Sequence, residues 1–305
     1  MLSPEIREML ADGIYAVAPT PFHENGSVDL NSIDRLADFF VGLEVPGLLV
    51  LGLMDEAHKL LEEERGVVLE RFVRAVDGRV AIVAGTNFPS AEGCAELTRR
   101  AGEAGADAAM ISPPRLAKPN TTAVRAFYET VAAASLTEIV IQDHPAESGT
   151  YMSAELMAEL IKDIPQANSI KLEDPATPPK VSALVKLIGK DAKVYGGLGG
   201  VAFLDELGRG AAGTMTGFGY PEILVQLFRL HRAGEIAEAK RLFNRYLPLI
   251  QFEAQQPMSL SIRKHLYVRR GAMAGPRVRR PAAQADEETL ILLFELMSEL
   301  DTAAA

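Results

Sequence analysis

Short apolar segments alternate with longer amphipathic segments along the first two thirds of the chain. Eight of the short segments are four to six residues long and largely apolar. Runs of this kind are typical of strands that are buried on both faces of a parallel sheet. The predicted strands cover residues 13–18, 47–51, 80–84, 108–111, 138–142, 169–172, 193–196 and 212–216.

Between these runs, apolar residues recur every three or four positions, which is the spacing of an amphipathic helix. Ser90 and Ser153 stand where two of the helices would begin and are predicted to be N-caps. The predicted helices cover residues 32–43, 62–76, 90–104, 123–134, 154–164 and 179–188. Strand and helix together repeat about every 25 to 35 residues, which is the length of a βα unit.

Eight such units predict an α/β fold, a (β/α)8 TIM barrel with a C-terminal helical extension. A doubly wound open sheet is the competing architecture, but TPFHEN follows the first strand where that fold often has a GxGxxG motif. Strand signals stop after Pro221, and residues 222–300 have helical patterns. We therefore predict a barrel over residues 1–220 and helices over residues 221–305, packed together as one structural domain.

Composition narrows the class of protein further. The net charge of −10 argues against nucleic acid as a partner, because phosphates require a basic face. The single cysteine, Cys94, excludes an intrachain disulfide and is expected to be a buried structural thiol. The N-terminus lacks the apolar run of a secretion signal, and no segment approaches the roughly 18 apolar residues of a membrane span. A cytoplasmic protein without a membrane partner is predicted.

Lys171 is the most prominent candidate for chemistry, because it interrupts the apolar end of the sixth predicted strand. Active sites of these barrels lie at the carboxyl ends of the strands. Burial disfavours an ammonium group, and a lysine held neutral attacks carbonyl groups to form imines. From its position alone, Lys171 is either a catalytic nucleophile or a strand-edge lysine that reaches solvent or pairs with Glu173.

Other strand ends carry weaker signals. Gly196 and Gly197 follow the seventh strand, and glycines there either let the backbone approach a ligand or form a tight turn. Arg115 is either a partner for a substrate carboxylate or a solvated loop residue. His144, beside Asp143, is either part of a proton-transfer pair or a polar loop residue. No HExxH motif or histidine cluster predicts a metal site.

Taken together, these segments resemble the dihydrodipicolinate synthase / N-acetylneuraminate lyase family of class I aldolases and dehydratases. The resemblance covers nearly the whole chain. Its markers are APTPFHENGSVD (18–29), GLMDEAHKLLEEER (52–65), VAGTN (83–87), GADAAMISPP (105–114), SIKLED (169–174), YGG (195–197) and GAAGTMT (210–216). It implies that Lys171 forms a Schiff base with a 2-oxo acid, that no cofactor is needed, and that the chain forms a homotetramer or homodimer.

By this resemblance, Lys171 and Gln142 are predicted to be catalytic. The predicted substrate-binding residues are Leu53, Met54, Asp55, Glu56, Arg115, His144, Glu173, Gly196, Gly197 and Met215.

The chain departs from the family pattern where protons are usually relayed. The family's GTTGE segment reads Gly52–Leu53–Met54–Asp55–Glu56 here, so both hydroxyl groups are missing. Gln142 replaces the tyrosine that ends strand five, and Arg115 and Leu116 replace the paired tyrosines. Glu147 stands where dihydrodipicolinate synthases have an arginine that binds the substrate's distal carboxylate, and it would repel an anionic aldehyde.

A subgroup of the family is more similar at these positions. The segments QD-x-P (142–145) and K-x-E-x-P (171–175) resemble those of 2-keto-3-deoxy-L-arabonate dehydratases, as do GA-x-G-x-MTG (210–217) and LPLI–E (247–253). Such an enzyme removes water from a 2-oxo-3-deoxy sugar acid while the imine acts as an electron sink. Glu173, His144, Asp55 or a water held by Gln142 are the candidate proton carriers, and the sequence does not choose among them.

Three functions therefore stay open on the sequence. The first is a lyase that dehydrates a 2-oxo-3-deoxy sugar acid or related pyruvate adduct, or cleaves it by retro-aldol reaction. The second is a dihydrodipicolinate synthase with a rebuilt proton relay. The third is a degenerate barrel that binds an oxo acid without turning it over.

Overall fold

The barrel predicted from the sequence is confirmed by a computed structural model, which describes residues 9–118 and 120–302. In this part of the chain, eight parallel strands pair in sequence order, and β8 pairs with β1 to close the barrel. The strands are β1 (Gly13–Val17), β2 (Gly47–Val50), β3 (Ala81–Gly85), β4 (Ala108–Ile111), β5 (Glu138–Asp143), β6 (Ala167–Leu172), β7 (Lys193–Gly196) and β8 (Gly213–Thr216). Each lies on one of the eight predicted runs.

Helices follow the strands and cover the outside of the barrel. They are α1 (Leu30–Gly42), α2 (Glu62–Val76), α3 (Ala91–Glu103), α4 (Thr121–Ala134), α5 (Pro145–Ser148), α6 (Ala154–Asp163), α7 (Thr177–Ile188), α8 (Phe203–Gly208) and α9 (Pro221–Arg232). The predicted caps are confirmed: the Ser90 hydroxyl accepts from the Gly93 N–H (3.1 Å), and the Ser153 hydroxyl from the Leu156 N–H (3.2 Å). The short α5 and α8 are too brief for a recurring apolar pattern to predict them.

Three further helices follow, namely α10 (Ile236–Glu253), α11 (Ser259–Arg269) and α12 (Glu287–Thr302). Their apolar side chains, among them Leu249 and Leu266, share one core with Ile14 of β1 and Phe40 of α1. The predicted boundary at residue 220 coincides with the start of α9, the helix that completes the eighth βα unit. The division of the chain there stays a prediction.

Side chains fill the inside of the barrel towards its amino-terminal end. Tyr15 and Tyr195 pack edge to face, with ring centroids 5.5 Å apart, and the Tyr195 hydroxyl donates to the Leu10 carbonyl oxygen (2.9 Å). Met110 and Met215 are fully buried in the same cluster. A packed lower half leaves room for a ligand at the carboxyl ends of the strands.

Two expectations from the composition, a buried cysteine and the absence of a membrane span, can be compared with the structure. Cys94 is fully buried, as predicted, and burial raises the pKa of its thiol to about 11, so that the neutral form persists. None of the described helices combines the length and the apolar character that crossing a membrane requires. Residues 1–8, on which the absence of a secretion signal was predicted, lie outside the described residues.

Candidate active site

A cavity of about 330 Å³ lies at the carboxyl ends of the strands. Its walls include Gln142 at the end of β5, Lys171 at the end of β6 and Met215 of β8. A larger groove of about 510 Å³ lies outside the barrel between α2 and α3, and charged side chains such as Glu62 and Arg100 line it. We take the strand-end cavity as the candidate active site, because it gathers side chains from several strands around one buried lysine.

Lys171 and Glu173 form a buried ion pair in this cavity. The Lys171 Nζ lies 3.1 Å from Glu173 Oε2, and both side chains are at least nine-tenths buried. Gln142 stands beside Lys171 in the register of β5 and β6, and its amide Nε2 donates to the same Glu173 Oε2 (2.7 Å). The pairing that the sequence left open for Lys171 is therefore present, and it occurs inside the cavity.

Neighbouring residues hold Lys171, Glu173 and Gln142 in this arrangement. The Ser112 hydroxyl donates to Gln142 Oε1 (2.9 Å), which fixes the amide so that its N–H group points at Glu173. The second carboxylate oxygen of Glu173 accepts from the Leu198 N–H at 3.4 Å. Gly197 is required beside it, because a Cβ there would overlap the Glu173 side chain. Glu173 is thus held from several sides with its oxygen next to Lys171.

The electrostatics of the cavity keep Glu173 ionised. Burial alone would raise the pKa of this carboxyl, but Lys171, His144 and the hydrogen bond from Gln142 together lower it below its usual value. His144 is half-buried and lines the same cavity. A carboxylate that stays charged is in the protonation state required to accept a proton from the lysine or from a carbon bound to it.

The loop after β2 forms another wall. Leu53 and Met54 line the cavity with apolar side chains. Asp55 is fully buried beneath them, and its Oδ2 accepts from the Gly52 N–H (2.6 Å), which closes the turn. Burial raises the pKa of Asp55 to about 8, against the attraction of Lys171. In the described chain, no hydrogen bond uses the N–H groups of Leu53 and Met54, so they are available to a ligand's carboxylate.

Glu56, predicted to bind substrate, does not line the cavity. Its carboxylate accepts from Lys264 of α11 (2.6 Å), from Lys59 (3.0 Å) and from the Arg279 N–H (2.8 Å). Both Glu56 and Lys264 are fully buried. The contacts place Glu56 in a link between the β2 loop and the C-terminal helices.

Of the remaining predicted residues, some line the cavity and others lie outside it. His144 and Met215 line the cavity, whereas Arg115 is exposed and lies beside Gly149 outside it. Gly196 also lies outside the lining, and a Cβ there would overlap the buried Glu206 carboxylate. Its lack of a side chain therefore serves packing between β7 and α8 rather than contact with a ligand.

The structure places three further residues at the site, and the sequence patterns did not indicate two of them, Ser112 and Arg263. Glu147, noted as a departure from the family, lines the cavity at its mouth. Arg263 of α11 lines the cavity from the side of the C-terminal helices, and Ser112 donates a hydrogen bond to Gln142. Arg263 lies about 90 residues beyond Lys171 in a helix without a clear amphipathic pattern, so no local signal connected the two.

The chain matches a protein family and several known proteins over most of its length. The Dihydrodipicolinate synthetase family profile matches residues 10–299. An L-2-keto-3-deoxyarabonate dehydratase of Azospirillum brasilense is 31% identical over 293 residues, which are 95% of this chain and 94% of the relative. A 4-hydroxy-tetrahydrodipicolinate synthase of Bacillus subtilis is 27% identical over 288 residues, 92% of this chain and 96% of the relative.

Among solved structures, a dihydrodipicolinate synthase from Rhodopseudomonas palustris superposes with a TM-score of 0.89 at 31% identity, covering 94% of this chain and 97% of that one. The fold, the buried strand-end lysine and the sequence matches define a Schiff-base-forming lyase barrel. The chain belongs to the dihydrodipicolinate synthetase family, whose members are aldolases and dehydratases.

Proposed function

We propose that the protein is a dehydratase that removes water from a 2-oxo-3-deoxy sugar acid bound as an imine to Lys171. The observation that carries this proposal is the 3.1 Å contact between Lys171 Nζ and Glu173 Oε2 inside the cavity. An amine and an ionised carboxylate are thereby presented to the same substrate carbon atoms. The similarity to the Azospirillum brasilense L-2-keto-3-deoxyarabonate dehydratase supports the substrate class.

Imine formation begins with transfer of an ammonium proton from Lys171 to Glu173. The free amine attacks C2 of the oxo acid, and one of its hydrogens passes to the C2 oxygen. That oxygen takes the second proton back from Glu173 and leaves as water, which gives a protonated imine and restores the Glu173 carboxylate. The substrate carboxylate binds the N–H groups of Leu53 and Met54, and the apolar side chains of that loop exclude water. Positive charge on the imine nitrogen then acidifies the hydrogens on C3.

Elimination uses the carboxylate beside the imine. Glu173 removes a proton from C3, and the electron pair forms an enamine. The enamine expels the C4 hydroxyl, which takes the proton from Glu173 and leaves as water. Hydrolysis of the remaining unsaturated imine frees Lys171, and the net reaction is loss of one water from the sugar acid. Gln142 keeps Glu173 aimed at the reacting carbons through the 2.7 Å hydrogen bond.

Borohydride trapping tests the covalent step. Reduction in the presence of pyruvate, or of a 2-oxo-3-deoxypentonate, should add a mass to the peptide that contains Lys171. Lys162→Met, on the exposed face of α6, is the matched control and should trap as the wild type does. Trapping at another lysine, or none, would reject the assignment of Lys171.

Product analysis separates dehydration from cleavage. Dehydration yields one product without pyruvate, whereas retro-aldol cleavage releases pyruvate that lactate dehydrogenase reduces. Release of pyruvate in proportion to the sugar acid consumed would assign the site to the aldolases instead. An adduct with no product of either kind across a panel of sugar acids would indicate an oxo-acid-binding barrel.

Dihydrodipicolinate synthesis is the second candidate, because the Bacillus subtilis relative carries that activity in its name. Against it, Glu147 lines the cavity and would repel an anionic aldehyde. A coupled assay with pyruvate and aspartate semialdehyde should show turnover at least about 100-fold below that of a sugar acid, the discrimination expected from about 3 kcal/mol. Equal turnover would remove the argument from Glu147.

The proposed reaction also determines whether the enzyme needs a cofactor. Because the imine supplies the electron sink, the chemistry needs no metal or organic cofactor, and dialysis against EDTA should leave the rate unchanged.

A cytoplasmic location and a homotetramer or homodimer stay predictions from the sequence and its resemblance. Light scattering on the purified chain measures the assembly.

A further inference from the structure

Arg263 is a second cation of the cavity, and it comes from outside the barrel proper. It lies on α11 and is more than nine-tenths buried, yet it lines the cavity together with Lys171 and Glu173. Its Nε donates to Glu253 Oε2 at 3.2 Å. Glu253, at the end of α10, also accepts from the Gly219 N–H at 3.0 and 3.2 Å, so the pair is tied to the loop after β8.

The two terminal nitrogens of Arg263 are left open towards the cavity. Glycines of the loops after β7 and β8 lie beside them: a Cβ on Gly217 would stand 3.2 Å from Nη1, and one on Gly199 would stand 3.4 Å from Nη2. In the described part of the chain, neither nitrogen donates to a protein acceptor. A buried guanidinium with two unused NH2 groups requires oxygen acceptors from a ligand or from water.

We propose that Arg263 binds the hydroxyl oxygens at the end of the substrate remote from the oxo acid. This inference rests on the proposed function, because it takes the imine at Lys171 as the other anchor. Hydroxyls fit better than a second carboxylate for two reasons. Glu253 already partners the guanidinium, and Glu173 and Glu147 give the cavity wall two further acidic groups.

The hydroxylated tail of the proposed substrate thereby gains a binding partner of its own. Arg263 selects for the tail, whereas Lys171 and the amides of Leu53 and Met54 hold the part common to all 2-oxo acids. The two functions are separable by experiment, because pyruvate contains the common part and has no tail.

The first experiment uses two variants at this position. Arg263→Met removes the donor, and Arg263→Met/Glu253→Gln also removes the acidic partner, so that no charge stays buried without a counterion. Arg269→Met, on the exposed side of the same helix, is the control. The KM for a 2-oxo-3-deoxypentonate should rise about 10- to 100-fold in both Arg263 variants, as expected for lost hydrogen bonds to a charged donor. The concentration of pyruvate that gives half-maximal borohydride trapping should stay within about twofold of the wild type.

A parallel loss of pyruvate trapping in the double variant would overturn the assignment, because Arg263 would then act on the oxo acid or on the fold. An unchanged KM for the sugar acid would overturn it as well.

A second experiment uses the wild-type enzyme and does not depend on the variants folding. Pyruvate trapping is competed with 2-oxopentanoate, 2-oxoglutarate and a 2-oxo-3-deoxypentonate, which share a five-carbon chain but differ in the tail. The hydroxylated acid should compete best. Strongest competition by 2-oxoglutarate would assign a terminal carboxylate to Arg263 and reject the hydroxylated tail. Trapping by no oxo acid would reject the proposed function itself, whereas trapping that is indifferent to the tail would reject only the role of Arg263.

Discussion

Two buried lysine–glutamate pairs in this protein have the same chemistry and different surroundings. Lys171 and Glu173 meet at 3.1 Å beside the cavity, and Lys264 and Glu56 meet at 2.6 Å between α11 and the β2 loop. Each lysine is at most 5% exposed. Burial and ion pairing therefore do not by themselves distinguish a reactive lysine from a structural one.

The number of acceptors around each ammonium distinguishes them. Lys264 donates to Glu56 Oε1, to the Thr20 carbonyl oxygen (2.7 Å) and to the Arg277 carbonyl oxygen (2.8 Å), which uses all three of its hydrogens. In the described chain, Lys171 contacts one carboxylate and otherwise faces the cavity. A fully coordinated ammonium joins parts of the fold, and a partly coordinated one beside a cavity is free to react.

Glu206 provides a third case, a buried carboxyl without a cation. Its Oε1 accepts from the Thr177 hydroxyl (2.5 Å), and its Oε2 has no hydrogen-bond partner among the described residues. Burial, together with the nearby charge of Glu173, raises its pKa to about 7. Without a lysine partner, burial makes the neutral form of the carboxyl persist towards neutral pH.

Replacing the reactive lysine should have the largest effect. Lys171→Met should lower kcat by about 10⁴-fold or more, because the covalent route is lost, and it should abolish borohydride trapping. Stopped assays with a sensitive product measurement are suited to quantify the loss. If the variant retains more than about 1% of the wild-type rate, the comparison between the two lysines no longer holds.

Glu173→Gln should have the next largest effect. The amide cannot accept the C3 proton, so kcat should fall about 10²- to 10⁴-fold. Pyruvate should still be trapped at Lys171, but more slowly, because the amide cannot take the ammonium proton either. Because the pKa of Glu173 lies below its usual value, its carboxylate should add no acid limb to the wild-type kcat/KM profile above about pH 5. An ionisation near pH 6 that disappears in Glu173→Gln would contradict this assignment.

Breaking the structural pair should affect stability instead. Lys264→Met leaves the Glu56 carboxylate buried with fewer partners, and should lower the free energy of unfolding by about 3 to 5 kcal/mol. Lys171→Met should cost less, about 1 to 3 kcal/mol, because Glu173 keeps its hydrogen bonds from Gln142 and the Leu198 N–H beside the cavity. Urea denaturation of both variants measures the difference. Equal losses would show that access to the cavity does not separate the pairs.

The smallest expected effect concerns Glu206 and depends on pH. The folded protein keeps the Glu206 proton up to about pH 7, whereas the unfolded chain releases it near the usual value of 4.5. The wild-type free energy of unfolding therefore falls as pH rises through that interval, by up to about 3 kcal/mol. Glu206→Gln should lack this fall and should gain stability over the wild type between pH 5 and pH 8. A constant difference between the two proteins across that range would contradict the shift.

Local sequence patterns were sufficient to predict the barrel and to single out Lys171 at the end of a strand. Strands buried on both faces leave apolar runs, and a lysine within such a run is conspicuous because burial of an ammonium is costly. Family similarity added Gln142 and Glu173, which the pairing of β5 and β6 brings to Lys171. The roles of these three in catalysis stay proposals that the experiments above test.

Packing between distant segments of the chain determines the positions of Arg263 and Lys264, which the sequence did not predict. Arg263 and Lys264 are neighbours on α11, and successive residues on a helix point about 100° apart. One faces the cavity and the other faces Glu56, which is 208 residues away in sequence. Because α11 is buried on several sides, its apolar and polar positions show no periodic pattern that would have distinguished these two residues.

The sequence by itself determined the alternation of strands and helices, the closure of eight units and the position of a lysine at a strand end. These follow from local periodicity and from the cost of burying charge. The tertiary structure decided that Lys171 pairs with Glu173, one of the alternatives the sequence left open. It also decided which distant charged groups meet: Glu56 with Lys264, and Arg263 with the cavity. The physical reason is that the acceptors left around each cation depend on how distant segments fold against it, and no local pattern records those distances.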